Sequence, residues 1–477
     1  MSVFTRTSLR SKHVLIVCLT VASLSTVGAV PSAHAELGDY SFWKTLRNLV
    51  KPQKPDNKVT SQDATGPYPL TQDRTAHDDG FREKRYLKWQ TITIDPASGA
   101  SCGNGSPYKI FVNRSPNTSN MLVYMEGGGA CWDEPSCSGN LGKLSARNPN
   151  GIPDDYLKLK NPGASLVSPF VVRLHPWERV ETQDWTLVYV PYCTGDIYIG
   201  DSIQQYEDPD GVDPDLTWHH NGFRNTTAAV SWIKNNLERP GQMLSTGCSA
   251  GGAGTLANYD MVRGNIDPTR AYMLNDSGPL FSAPTWGSND VYPSIPLART
   301  IRDAWGLDTS TTSPLGYLAT RLPDFDVTDS GTMYRALSSQ YPSDRMGHVH
   351  FWADLNYSRF SYERFYPEIE AAPSEAARNK LVTAKWGTDT EALRNELKNY
   401  GNFGSYFPNY RDLNDSHCAT IVDFNRGKIE EDGLRLEDFI DDVINGNGRV
   451  MEATEDDRVS DQKKRRNLIY QLIDSIL

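Results

Sequence analysis

The sequence predicts an α/β protein whose central sheet is mostly parallel and flanked by helices. Three observations carry this. Apolar strand-like runs alternate with amphipathic helical stretches, and the order strand, crossover helix, strand recurs. With 477 residues, the chain is also long enough to bury a core on both faces of a sheet.

The elements follow in order. Lys109 to Val112, Asn120 to Met125 and Trp185 to Val190 are short apolar runs with the branched and aromatic residues of strands. Thr226 to Leu237 reads as a helix, apolar at Ala229, Val230, Ile233 and Leu237. Met243 to Thr246 is the next strand, a helix begins at Ala250, and Ala271 to Leu274 is a further strand. Residues 281 to 345, with many Pro, Ser and Thr among short helices, suit a cap-like insertion. His348 to Ala353 is strand-like and precedes Asp354. From Arg435 the pattern predicts two amphipathic helices, the last apolar at Leu468, Ile469, Leu472 and Ile476.

Composition narrows the function. A formal charge of -11 disfavours a nucleic-acid-binding surface, which would concentrate Lys and Arg. Residues 1–35 read as a signal peptide: Arg6, Arg10 and Lys12, an apolar run from Val14 to Val30, and Ala33-His34-Ala35 before Glu36. An N-terminal membrane anchor is the rival reading, but Thr20, Ser23, Ser25 and Thr26 dilute the run, so no stable membrane insertion is expected after cleavage. Residues 36–85 then form a leader, 86–425 the catalytic domain and 426–477 a C-terminal helical extension packed on it. No cysteine pair has zinc-site spacing, and His348 and His350 lack a third ligand nearby, so neither a metal nor another cofactor is expected.

Gly247-Cys248-Ser249-Ala250-Gly251 fits G-x-S-x-G. The motif gains weight from context, because an apolar strand ends just before it and small residues lead into a helix. A strained strand-to-helix turn needs that sequence to present the Ser hydroxyl. The Ala250 N–H then faces a developing oxyanion. Further donors come from a second place, where the strand ending at Met125 runs into Glu126-Gly127-Gly128-Gly129. Gly128, Gly129 and Ala250 are therefore the expected oxyanion hole.

Three segments together resemble the pectin acetylesterase and Notum family of carboxylesterases: Met125 to Cys131, Pro191-Tyr192-Cys193-Thr194-Gly195-Asp196, and Gly247 to Gly252. The resemblance covers roughly residues 85 to 425 and departs at Ala130, where plant members carry Trp. It implies an α/β-hydrolase fold and ester hydrolysis. Polysaccharide deacetylation is implied less directly, because members differ in acyl group and carrier.

In that fold the order is Ser, then an acid, then His. Only His348, His350 and His417 follow Ser249. His417 sits in a late polar turn, matches the family's late histidine segment, and is the expected base. Asp276 and Asp354 compete to orient it, since both end strand-like segments. Asp354 holds the fold's usual position and is assigned, while Asp276 is expected at the pocket floor or binding a backbone donor.

Six cysteines remain after signal cleavage, and an even number in an exported chain favours bridges. Cys248 and Cys418 adjoin the expected nucleophile and base, so an assembled triad brings them together. Cys131 with Cys137 closes the oxyanion loop, leaving Cys102 with Cys193. Trp132, Tyr192, Tyr198 and Trp218 are candidate sugar-stacking residues, with ordinary packing as the other reading.

The sequence thus predicts an exported serine esterase with a Ser249-Asp354-His417 triad, acting on acetyl or short acyl esters of a carbohydrate. Its rivals are a carboxylesterase for lipid or polyester esters, a serine peptidase, and a catalytically silent glycan-binding protein.

Overall fold

A computed structural model describes residues 80–456, apart from 158–167, 176–177, 213, 309, 412, 425–426, 430 and 432. The expected signal peptide, nearly all of the leader and the last amphipathic helix lie outside the described residues.

Nine strands build the central sheet: β1 (Gln90–Thr93), β2 (Lys109–Asn113), β3 (Met121–Met125), β4 (Thr186–Val190), β7 (Gln242–Cys248), β8 (Arg270–Asp276), β9 (Arg345–Val349), β10 (Phe403–Phe407) and β11 (Glu452–Thr454). Their spatial order is β1-β2-β4-β3-β7-β8-β9-β10-β11. From β4 to β11 every neighbouring pair is parallel, while β2 runs antiparallel to both β1 and β4. Strands β5 (Ser202–Tyr206) and β6 (Leu216–His220) form a separate antiparallel hairpin. Every residue of β3, β4 and β10 is buried, as a sheet covered on both faces requires.

Among the described residues, nine helices of eight residues or more are numbered in chain order. Helix α1 (Gly222–Asn236) precedes β7; α2 (Ala250–Ala257) and α3 (Tyr259–Ile266) link β7 to β8. The insertion between β8 and β9 contains α4 (Ile295–Ala304), α5 (Pro314–Arg321) and α6 (Met333–Gln340). After β9 come α7 (Leu355–Tyr362) and α8 (Glu375–Leu397), and α9 (Leu436–Asn445) precedes β11. Helix α9 buries Leu436, Phe439, Ile440, Val443 and Ile444. Gly347 in β9 makes room for it, because a Cβ there would come within 2.9 Å of Val443 and 3.0 Å of Phe439.

Three differences from the sequence reading have physical causes. The strand expected at His348 to Ala353 is Arg345–Val349, since register with β8 pairs Tyr272 with Arg345 and Asp276 with Val349. The hairpin β5-β6 was not anticipated, and it buries His219 and His220. The segment after 426 is not purely helical: β11 adds a parallel strand to β10, so the sheet extends past the expected domain limit.

Ser249, Asp276, Asp354 and His417 all lie at or just beyond the carboxyl ends of parallel strands, where open α/β sheets place their sites. The sheet closes tightly there. A Cβ on Gly251 would collide with the Met125 carbonyl, which is backbone and has nowhere to move. We expect Gly251→Ala to cost about 3 kcal/mol, the upper range for overpacking, measured as a lowered denaturant midpoint.

Candidate active site

Ser249 sits between β7 and α2 with φ 60° and ψ -127°, a strained backbone for a non-glycine residue. Two hydrogen bonds hold it there. Its N–H donates to the Asp276 carbonyl at 2.9 Å, and its carbonyl accepts from the Ala253 N–H at 3.0 Å. Ser249 is half-buried and lines a cavity of about 800 Å³ together with Gly127, Gly128, Gly129 and His417.

The glycine loop after β3 is held from below. The Glu126 carboxylate is buried and accepts from the Tyr156 hydroxyl at 2.6 Å and the Tyr192 N–H at 3.0 Å. Burial raises its pKa, opposed by those hydrogen bonds. The Tyr198 hydroxyl donates to the Glu126 carbonyl at 2.8 Å. Within the described residues, the N–H groups of Gly128, Gly129 and Ala250 enter no hydrogen bond. Sequence reasoning gave Glu126 no role. The signal was there, since an acid between an apolar strand and a glycine run must be buried, and a buried acid needs donors.

Asp354 caps α7, its Oδ1 accepting from the Tyr357 N–H at 2.9 Å. Its Oδ2 lies 2.7 Å from Nδ1 of His417. An ionised carboxylate only accepts, so Nδ1 carries the proton and Nε2 holds the lone pair. Both side chains are buried. Burial is the largest influence on Asp354 and raises its pKa, while His417 and the Tyr357 N–H work to lower it.

Asp276 does not reach the cavity. It is fully buried, and its carboxylate accepts from the N–H of Ala419 at 2.9 Å, and from the N–H and hydroxyl of Thr420 at 2.8 and 2.7 Å. The neighbouring Ser277 hydroxyl accepts from the Cys418 N–H at 3.0 Å. Asp276 is therefore an anchor for the histidine loop and not a pocket floor. Arg411, also buried, grips the same loop through the carbonyls of Cys418, Ala419, Ile421 and Asp423. The sequence reading missed it, because a lone arginine in a polar turn resembles any surface residue.

The bridges are Cys102–Cys193, Cys131–Cys137 and Cys248–Cys418. Of the aromatic candidates, Trp132 lines an apolar pocket that meets the main cavity at Ser249. Tyr192 does not line it: its ring lies beneath Gly128, and its hydroxyl accepts from the Ile197 N–H at 2.8 Å. Tyr198 and Trp218 are likewise buried. His348 and His350 share a 2.7 Å hydrogen bond in the core, and burial pushes His348 down to about 3, so both stay neutral.

A parallel sheet with a strained serine after β7, glycine-flanked donors after β3, and an acid and histidine after later strands defines an α/β-hydrolase. Residues 82–300 match the family model described as pectinacetylesterase, which bears out the resemblance read from the three short segments. The chain is 25% identical over 166 residues to the palmitoleoyl-protein carboxylesterase NOTUM of Drosophila melanogaster, covering 34% of this chain and 23% of that protein. It is 24% identical over 186 residues to pectin acetylesterase 11 of Arabidopsis thaliana, covering 38% of this chain and 43% of that protein. The chain thus spans less than half the length of these curated relatives. A solved structure of the Wnt deacylase Notum from Drosophila superposes with a TM-score of 0.43 at 19% identity, covering 67% of this chain and 84% of that one.

Two outcomes follow from this geometry. Asp276→Ala leaves three buried donors in the histidine loop without an acceptor, so we expect a loss of at least ~3 kcal/mol in stability and a fall in turnover, read by denaturant unfolding and ester hydrolysis. Asp389 in α8 accepts from the Ser294 and Tyr362 hydroxyls at 2.6 and 2.7 Å, and burial pushes its pKa up to about 6. This exceeds the unfolded value of about 3.9. Its contribution to stability is therefore full below about pH 4 and lost as pH rises through 6. Asp389→Asn should make the melting temperature fall less between pH 4 and 7 than in the parent, measured by thermal unfolding across that range.

Proposed function

We propose that the chain is an exported serine carboxylic-ester hydrolase that removes acetyl or another short acyl group from a carbohydrate. The observation that carries this reading is the 2.7 Å bond between Asp354 and Nδ1 of His417, at a cavity that His417 shares with Ser249 and the glycine loop. The three groups supply nucleophile, base and orienting acid, which favours catalysis over silent glycan binding.

Nε2 of His417 accepts the Ser249 proton as the hydroxyl oxygen attacks the ester carbonyl, and Asp354 stabilises the imidazolium. The N–H groups of Gly128, Gly129 and Ala250 receive the oxyanion, each such donor being worth about 3 kcal/mol. The imidazolium protonates the departing alcohol. Water, deprotonated by His417, then releases the acid and restores the serine. These steps call on no metal or organic cofactor.

Two cavities meeting at Ser249 support the choice of substrate. The larger carries Arg147, Asn148, Asn150 and Asn356 in its wall, whose donors and acceptors suit a hydroxyl-rich carrier. The smaller, bounded by Trp132, Leu280, Phe281, Leu297 and Ile301, encloses about 80 Å³. It is much the smaller of the two, which favours a short acyl chain over a long one. The apolar lining is what keeps a lipid or polyester carboxylesterase as the second reading. Three disulfides support an oxidising compartment. Among the described residues no helix is long and apolar enough to cross a membrane.

Hydrolysis of nitrophenyl esters from acetate to palmitate, by the oxidised protein, tests the reading. We expect acetate to turn over fastest, Ser249→Ala to abolish the reaction, and Asp354→Asn to lower kcat by about 10⁴. A maximum at long chains would move the substrate to lipids or polyesters. Equal rates for the parent and Ser249→Ala would remove the serine esterase reading.

A further inference from the structure

The Cys248–Cys418 bridge holds two sulfur atoms beside the histidine expected to act as base. Both sulfur atoms and a ring nitrogen of His417 lie within 4.8 Å of one another, and all three residues are buried. His417 commits Nδ1 to Asp354 at 2.7 Å, which leaves the Nε2 lone pair. A histidine held by a carboxylate through its other ring nitrogen is the usual form of a zinc ligand, because the carboxylate fixes the ring and raises its basicity. Two thiolates and such a histidine make a Cys₂His site with one position open. Here the sulfur–sulfur bond is what stands in the way, because thiolates bind metals and a disulfide does not.

We propose that the reduced protein binds one Zn²⁺, or a similarly soft divalent ion, through Cys248, Cys418 and Nε2 of His417, and that the disulfide keeps this site closed in the oxidised protein. Reduction adds two electrons and two protons to the bridge and gives two thiols. A phosphine reductant leaves as its oxide, with oxygen from water. The metal then displaces both thiol protons to solvent. Tetrahedral zinc places its ligand atoms roughly 3.6–3.8 Å apart, so the sulfurs separate from bonding distance while their Cα atoms stand 5.6 Å apart. The open metal position faces the Ser249 cavity, which Cys248, His417 and Cys418 all line. A metal on Nε2 takes away the base, so binding and ester hydrolysis exclude each other. That exclusion rests on the esterase reading; zinc uptake does not.

A second group, Cys131, Cys137 and His220, has the same composition. It lacks the free lone pair: Nε2 of His220 faces the Tyr206 hydroxyl at 2.8 Å and Nδ1 faces the Thr194 carbonyl at 3.2 Å. It serves as the internal control.

The test uses the protein oxidised, and reduced with a trialkylphosphine under argon. Metal retained after gel filtration is measured with ZnCl₂, and the thiolate-to-metal absorption with CoCl₂. We expect no retained zinc in the oxidised protein, one per chain after reduction, and a cobalt–thiolate band. That band should persist in Cys131→Ser/Cys137→Ser and vanish in Cys248→Ser/Cys418→Ser. Nitrophenyl acetate hydrolysis by the reduced protein should fall at least ~100-fold with zinc and return with EDTA. No band after reduction, or a band that survives in Cys248→Ser/Cys418→Ser, overturns the proposal. If near-ultraviolet circular dichroism shows that reduction unfolds the chain, Cys418→Asp without reductant keeps the other bridges and provides three ligands. It must then retain one zinc, and failure to do so overturns the proposal equally. Zinc uptake by a protein that hydrolyses no ester in either state would retire the esterase reading and leave the metal site standing.

Discussion

The carboxylate of Asp276 is the point on which the site depends. It ends β8 inside the protein, and its partners among the described residues are N–H and O–H donors. A buried carboxylate stands only when such donors replace its water. Those donors come from the loop that carries His417, while the Asp276 backbone carbonyl accepts from Ser249. One residue therefore fixes the separation between the Ser249 turn and the His417 loop. Arg411 completes the arrangement from the other side, gathering four carbonyls that the same loop exposes to the interior. A loop with so little regular structure is positioned because two buried side chains, Asp276 and Arg411, take up its N–H and C=O groups.

The glycine loop after β3 is fixed by the same principle with different residues. Glu126 turns inward to Tyr156 and Tyr192, and Tyr198 supports its carbonyl. Tyr198 and Ile197 adopt φ of 66° and 46°, a strain of order 1–3 kcal/mol each. Asp196 offsets it, accepting from the Thr194 hydroxyl at 2.7 Å, the Tyr198 N–H at 3.2 Å and the Gly222 N–H at 2.7 Å. The Pro191-to-Asp196 segment thus supports the glycine loop without touching the cavity, and Ile197 beyond it reaches the apolar pocket.

What the sequence disclosed follows from how local each signal is. Strand-to-helix turns with obligatory glycines are written in consecutive residues, so the Ser249 turn and the Gly127–Gly129 loop were legible, as was the parallel sheet that positions them. The pairing of cysteines was legible only through the geometry expected of a triad. Partnerships formed across 140 residues, such as Asp276 with Thr420, leave no mark at either end. The same holds for Arg411 and for the burial of Tyr192, whose position in a motif suggested substrate contact when its ring supports Gly128. The hairpin β5-β6 escaped because β5 exposes its one aliphatic residue, Ile203, while β6 buries His219 and His220 beside Leu216 and Trp218. Strand β11 escaped because three residues carry no periodicity.

That last strand has a consequence for biosynthesis. Strand β10 has every residue buried, and among the described residues β11 and its flanking positions Met451 and Glu455 pair with the edge that β9 leaves open. A chain emerging from the ribosome carries a complete Ser249 turn and histidine loop for some time before that cover arrives. During the interval an apolar strand presents unpaired N–H and C=O groups, the form of surface that recruits other unfinished chains. Strand β11, which contributes no residue to the Ser249 cavity, is in this sense what makes the molecule safe to release.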